Sequence, residues 1–334
     1  LHQMTMENIL DVSDLAITLT TAQGKVDVIQ SVSFTVAPGK TLALVGESGC
    51  GKSVTAASIL RLLPRELDIT RGSVLFRSPV NDEITDIAKL APRGDAIRDL
   101  RGNDIAMIFQ EPMSSFSPLY TIGNQIGEVV RLHRRMSKKE ARKLTMELLD
   151  KVGIPDAKAA VDRYPHEYSG GMRQRAMIAK ALSCDPALLI ADEPTTALDV
   201  TIQAQIIELM QQLQQEFHMA IIFITHDLGV VAQVADEVCI MYAGHVVERG
   251  EVREIFHGAR HPYTRDLLHA MPRLGNLTDK LVAIEGNVPG LFDMPFGCRF
   301  HPRCSSFIPG ICDLRTPDVS PVSKSHTVEC HLHD

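Results

Sequence analysis

The chain has 334 residues, 45% hydrophobic and 22% charged, an ordinary globular composition with room for one large domain and an appendage. A formal charge of −7 gives no electrostatic footprint for nucleic acid, which is not expected as a partner. No apolar run approaches the roughly 20 residues of a membrane span, and residues 1–10 lack the basic-then-apolar pattern of a secretory signal.

Short apolar runs followed by helical patterns recur, which argues for an α/β fold with a largely parallel sheet. Residues 9–36 alternate like antiparallel strands around the turn Gln23-Gly24-Lys25. The run Thr41–Val45 reads as a buried strand leading into Gly46-Glu47-Ser48-Gly49-Cys50-Gly51-Lys52-Ser53, which fits the phosphate-binding pattern G-x-x-x-x-G-K-[ST]. The glycines let backbone N–H groups converge on an anion at the start of the helix-compatible run 54–62. Lys52 is expected to reach the β- and γ-phosphates, and the Ser53 hydroxyl to bind Mg²⁺. Residues 111–166 turn helical, and 137–152 places apolar residues at helical spacing behind the N-cap Ser137. A helical subdomain inserted at about 111–183 is the expectation.

Ser169 and the pair Gly170-Gly171 open a further helix over 171–183, a second anion-binding helix terminus. A chain with one phosphate loop has no second phosphate for it in cis. Such a terminus makes sense if it completes the nucleotide site of another subunit. The strand 187–191 ends on Asp192-Glu193. Two acids at a strand end are often merely solvated. Beside a phosphate loop they suit a Mg²⁺ anchor, Asp192, and a group that polarises the attacking water, Glu193. The strand 220–225 ends at His226.

Ser169-Gly170-Gly171-Met172-Arg173-Gln174-Arg175 resembles the signature sequence of ATP-binding-cassette (ABC) ATPases. Gln110, in Phe-Gln-Glu-Pro, resembles their Q-loop glutamine, Thr196-Ala197-Leu198-Asp199 their D-loop, and His226 their switch histidine. All elements stand in family order over about residues 9–250. The resemblance implies the P-loop ABC ATPase fold, ATP and Mg²⁺ as ligands, and pairing with a second cassette. It implies catalytic roles for Glu193, His226 and Gln110, and Mg²⁺ contacts from Ser53, Gln110 and Asp192. Gly46 through Ser53, Asp192, Ser169, Gly170, Gly171 and Asp199 are then the nucleotide-binding residues. The family's adenine-stacking aromatic has no counterpart between Asn8 and Ser33, and the adenine contact stays unassigned. A soluble ABC ATPase acting on DNA or ribosomes commonly carries two cassettes or a long coiled coil, and this chain has neither. A non-hydrolysing regulatory cassette is disfavoured by the intact Glu193 and His226.

Behind the cassette, 1–258, prolines crowd a loop-rich appendage, 259–334. Cys298, Cys304, Cys312 and Cys330 gather there, spaced C-x5-C-x7-C-x17-C, whereas Cys50, Cys184 and Cys239 are scattered. In a reducing compartment such a cluster favours a metal over disulfides. Four thiolates suit [4Fe–4S] or structural zinc. The absence of a C-x₂₋₄-C pair tilts toward iron–sulfur; zinc, with or without His301 or His331, stays open, as does no metal. The cluster is expected to staple a segment with little core and to leave the distant phosphate loop untouched. Cys50, beside Lys52 at a helix start, is expected to favour thiolate and to be open to alkylation.

Arg260-His261-Pro262-Tyr263-Thr264 and the terminal cysteines resemble the dipeptide/oligopeptide importer branch, which also includes nickel, glutathione and opine importers. That implies two integral membrane permease subunits, an extracytoplasmic solute-binding protein and often a second, non-identical ATPase. It places the chain on the cytoplasmic face of the bacterial inner membrane, and points the cysteines toward iron–sulfur.

Overall fold

The structure is a computed structural model that describes residues 7–110, 115–196, 198–271 and 284–334. Ala197 of the D-loop stretch and Glu111 and Pro112 of the Q-loop stretch lie outside the described residues. The chain divides into two compact units. One comprises Leu1–Leu10, Val36–Lys40 and Phe76–Ile224, the other Asp11–Thr35, Thr41–Leu75 and Thr225–Asp334.

In the first unit the strands Ile105–Ile108, Leu188–Asp192 and Ala220–Ile224 run parallel. Leu188 pairs with Ile105 on one side and Ala220 on the other. Every residue of the last two strands is buried, the reason they read as unbroken apolar runs rather than alternating ones. The helices Ile122–Arg134, Lys138–Lys151 and Gly170–Ala181 lie in the stretch whose sequence pattern is helical. Ser137 caps the second of them in a full capping box: its Oγ accepts from Glu140 N–H while the Glu140 carboxylate accepts from Ser137 N–H. Gly153, at φ +75°, follows its C-terminus where a left-handed residue can end a helix.

The second unit is mixed rather than largely parallel. Thr41–Val45 pairs in parallel with Glu237–Tyr242, which turns back antiparallel as His245–Glu251. The connecting Ala243 and Gly244 both have positive φ, the geometry of a tight hairpin turn. His245–Glu251 also pairs antiparallel with Thr327–Glu329, Glu248 opposite Val328. Residues beyond the expected cassette boundary therefore extend this unit's own sheet.

The appendage is better anchored than its proline content suggests. It contributes the helix Pro262–His269, with Tyr263 and Phe300 fully buried against Tyr242, Val45 and Val247. Ring centroids of Tyr242 lie 4.7 Å from Tyr263 and 5.2 Å from Phe300. Burying each aromatic side chain contributes roughly 1.5–3 kcal/mol. The expectation of a segment held by its cysteines for want of a core is corrected here: it shares the core of its unit.

Candidate nucleotide site

The phosphate loop begins where Thr41–Val45 ends. At Gly46 a Cβ would lie 2.2 Å from the Met241 carbonyl oxygen and 2.8 Å from the Cys50 sulfur, so no side chain fits without moving backbone. Gly51, at φ +105°, is the N-cap of the helix Lys52–Ile59 and has no side chain to satisfy that helix's first N–H groups. The Lys52 ammonium, largely buried, donates to the carbonyls of Gly46 at 2.7 Å and Glu47 at 3.0 Å. Ser48, Gly49 and Ser53 are exposed. The loop thus offers backbone donors, an ammonium and a hydroxyl around one turn of chain.

Cys50 departs from expectation. Its side chain is 1% exposed, and burial pushes its thiol up, Lys52 opposing this without prevailing. The thiolate character inferred from its neighbours is overturned by desolvation, which penalises the charged form before any favourable field acts.

The phosphate loop is not remote from the appendage. The Arg303 guanidinium grips the Glu47 carboxylate with both arms, at 2.7 and 3.1 Å. Glu47 N–H donates to the Tyr263 hydroxyl at 3.0 Å. The expected independence of loop and tail is corrected by these contacts. Tyr263 was visible in the sequence only as a branch marker. Arg303, one residue before Cys304, carried no signal at all.

In the other unit Asp192 ends its strand buried, and Glu193 follows with φ +47°, a left-handed conformation uncommon for a side-chain-bearing residue. Its N–H donates to Ile224 O at 2.9 Å. Its Oε2 accepts from Gln110 Nε2 at 3.1 Å and from Thr196 Oγ1 at 2.8 Å. Two expected catalytic residues, Gln110 and Glu193, are thereby in contact, and Thr196, read from the sequence only as the start of the D-loop, is a third member. A left-handed backbone at a side-chain-bearing residue such as Glu193 is the kind of strain that gathers at functional positions.

Ser169 caps the helix Gly170–Ala181 by accepting from Met172 N–H, leaving Ser169 and Gly170 exposed at its start. Buried Gln174 donates to Pro194 O, linking the signature helix to the turn after Glu193. Asp199 caps Val200–Phe217, accepting from Thr201 and Ile202 N–H. His226 is exposed on the turn before Leu228–Val234, a helix capped by Asp227.

The tail cysteines are all free thiols. Burial first, with smaller pushes from Cys330, Cys312 and Cys304 and against a backbone hydrogen bond from Phe300, takes the Cys298 thiol up to about 12. Cys298 N–H donates to Cys312 O at 2.8 Å. The four are neighbours and supply a soft donor set of the kind that holds iron–sulfur or zinc. They are not assembled as a ready site: among the described residues no group of three or more His, Cys, Asp or Glu is arranged to hold a metal ion. Among those residues, too, no helix is long and apolar enough to cross a membrane.

A phosphate loop, an acid-ended parallel strand and a capped Ser-Gly-Gly helix define a P-loop nucleotide cassette, and comparison with known proteins agrees. Residues 29–196 match the ABC transporter model, and residues 247–312 match the model of the C-terminal region of oligopeptide/dipeptide transporters. The chain is 52% identical to a Brucella melitensis protein named for peptide import ATP binding, covering 98% of both chains. It is 48% identical to the dipeptide transport ATP-binding protein DppD of Bacillus subtilis, covering 98% of this chain and 96% of that one. The dimeric bacterial ABC transporter cassette MJ0796 superposes with a TM-score of 0.63 at 25% identity, covering 73% of this chain and 99% of that one. The chain belongs to the ABC transporter family, as an ATP-hydrolysing cassette.

Proposed function

We propose that this chain is the ATP-binding and ATP-hydrolysing subunit of an importer of di- or oligopeptides. The observation that carries the substrate class is the match of residues 247–312 to the oligopeptide/dipeptide transporter C-terminal region, on the same chain as a complete cassette. In this reading residues 1–258 form the cassette, with a helical subdomain at about 111–183, and 259–334 the importer-type appendage. The chain works beside a second, homologous ATPase and two permease subunits at the cytoplasmic face of the membrane, fed by an extracytoplasmic solute-binding protein.

The roles follow from chemistry at each position. The N–H groups at the Ser48–Lys52 end of the loop receive the phosphates at a helix start that no side chain caps, Glu47 N–H being held by the Tyr263 hydroxyl. Lys52 leaves its carbonyl partners to bind the β- and γ-phosphates. Ser53, Asp192 and Gln110 are oxygen donors suited to Mg²⁺, which when bound neutralises developing phosphate charge. Glu193 orients and polarises the attacking water, and His226 contacts the γ-phosphate. Ser169, Gly170 and Gly171 present their helix start to the nucleotide of the opposing cassette, with Asp199 nearby in that interface. ATP-driven closure of the pair and reopening after hydrolysis then move the permeases.

For the tail we propose that Cys298, Cys304, Cys312 and Cys330 hold one metal centre, [4Fe–4S] rather than zinc. The soft four-thiol donor set and its C-x5-C-x7-C-x17-C spacing support that reading. Anaerobically purified protein is expected to be brown with about four irons per chain. Stoichiometric zinc without iron contradicts that assignment.

The experiment for the whole reading is reconstitution. The chain is co-expressed with its permeases and partner ATPase, placed in vesicles with the solute-binding protein, and supplied with labelled peptides. Peptide uptake that requires ATP supports the reading. ATP turnover with no peptide uptake, alongside uptake of nickel, glutathione or an opine, moves the chain to another solute.

A further inference from the structure

Glu47 is an acid at the second position of a loop whose proposed business is to receive a polyanion, and the structure holds it at both ends. Its carboxylate, partly exposed, is paired bidentately with Arg303, whose side chain is 4% exposed. The guanidinium is aimed independently of that pair: Arg303 Nε donates to Glu285 O at 2.9 Å, and the group lies 5.7 Å from the Tyr242 ring centre and 5.9 Å from that of Phe300. Such a fork is pre-organised, unlike a flexible ammonium. The backbone end of Glu47 is fixed by the Tyr263 hydroxyl, on a fully buried ring. Both partners come from the region after residue 258, and both belong to the unit that carries the loop.

We propose that Arg303 and Tyr263 are positioning residues for the phosphate loop: Arg303 neutralises and turns aside the Glu47 carboxylate, and Tyr263 fixes the Glu47 backbone. The inference rests on the reading of residues 46–53 as the nucleotide loop. The consequence reaches Lys52, because its ammonium is hydrogen-bonded to the Glu47 carbonyl. Freed from Arg303, the carboxylate becomes an uncompensated negative charge beside the phosphates, and the residue supporting Lys52 loses its anchor. The appendage therefore acts on nucleotide affinity through two side chains, without touching the nucleotide.

The test is a double-mutant cycle on the full chain, reading equilibrium ATP binding. Arg303→Ala is expected to weaken binding about tenfold, a change equivalent to about 1.4 kcal/mol. In the Glu47→Gln background the same substitution is expected to cost less than about threefold, since no charge is left to unmask. Arg303→Lys, which keeps the charge, is expected to retain most of the affinity if Arg303→Ala proves too unstable to assay. Tyr263→Phe is expected to weaken binding by about threefold with Arg303 intact. Arg303→Ala binding ATP as wild type overturns the proposal. So does an equal loss with and without the Glu47 carboxylate, which marks a general disturbance of the fold. Lys52→Ala is the separate control: if it leaves ATP binding intact, the nucleotide-loop reading itself fails, whatever the cycle gives.

Discussion

Thr196 Oγ1 donates to Glu193 Oε2 at 2.8 Å, and Gln110 Nε2 reaches the same oxygen at 3.1 Å. A carboxylate that accepts two donors on one oxygen is restricted in rotation, and its other oxygen is directed elsewhere. The left-handed φ of Glu193 adds a second restraint from the backbone. Replacing Thr196 with Val keeps the shape and removes the donor. ATP turnover is expected to fall about tenfold, in the range that slight misplacement of a reacting group produces. ATP affinity is expected to stay within about twofold, because Thr196 has no proposed contact with nucleotide. Parallel binding and turnover measurements on the variant check both halves.

Cys50 is expected to react slowly with thiol reagents despite its place in the phosphate loop. Its sulfur is buried, desolvation raises its pKa, and the Lys52 ammonium lies 3.6 Å away without reversing that shift. At pH 7.5 its alkylation rate should fall well below that of an exposed thiol, which has a pKa near 8.5. Mass spectrometry of partially alkylated native protein reads this directly. Fast labelling of Cys50 contradicts it.

His261 links pH to the anchoring of Tyr263. Its ring is buried, and its Nδ1 accepts from Tyr263 N–H at 3.0 Å, which requires the neutral form. Burial first, then His333 and Arg265, pushes its pKa down from 6.5 to about 3. Glu248 faces the same turn, accepting His261 N–H at 3.0 Å and pairing with His326. The unfolded chain takes up a proton that the folded chain refuses, so this contribution is complete above about pH 6.5. It is lost progressively as pH falls toward 3, at up to about 1.4 kcal/mol per pH unit. His261→Asn keeps a side-chain acceptor for the helix start and removes the titration. Its melting temperature should vary less than that of wild type between pH 6.5 and 4.5; equal slopes contradict the assignment.

Local rules made much of this chain legible. Ser137 and Glu140 announce a capping box from their spacing, and the structure has it. Gly46 and Gly51 stand where the phosphate-loop pattern requires them, and Met241 O and Ile29 show what excludes a side chain there. The buried strands Leu188–Asp192 and Ala220–Ile224 are visible as uninterrupted apolar runs. What stayed hidden depends on pairs far apart in sequence. No local pattern couples Arg303 to Glu47 across 256 residues. The Cys50 thiol was misread for the same reason, since its burial is a tertiary property while its charged neighbour is a local one. The tail was judged by its own prolines, although the surface that Tyr263 and Phe300 bury against includes Tyr242 and Val45.

Glu193 is assigned to ATP hydrolysis and not to ATP binding, which the phosphate loop carries without it. The most direct measurement pairs equilibrium ATP binding with single-site turnover for Glu193→Gln, in a complex whose partner cassette is inactivated by the equivalent change of its own phosphate-loop lysine. The account predicts ATP affinity within about threefold of wild type, with turnover reduced by at least about a hundredfold, the scale on which a catalytic base contributes. Wild-type turnover in that complex contradicts it.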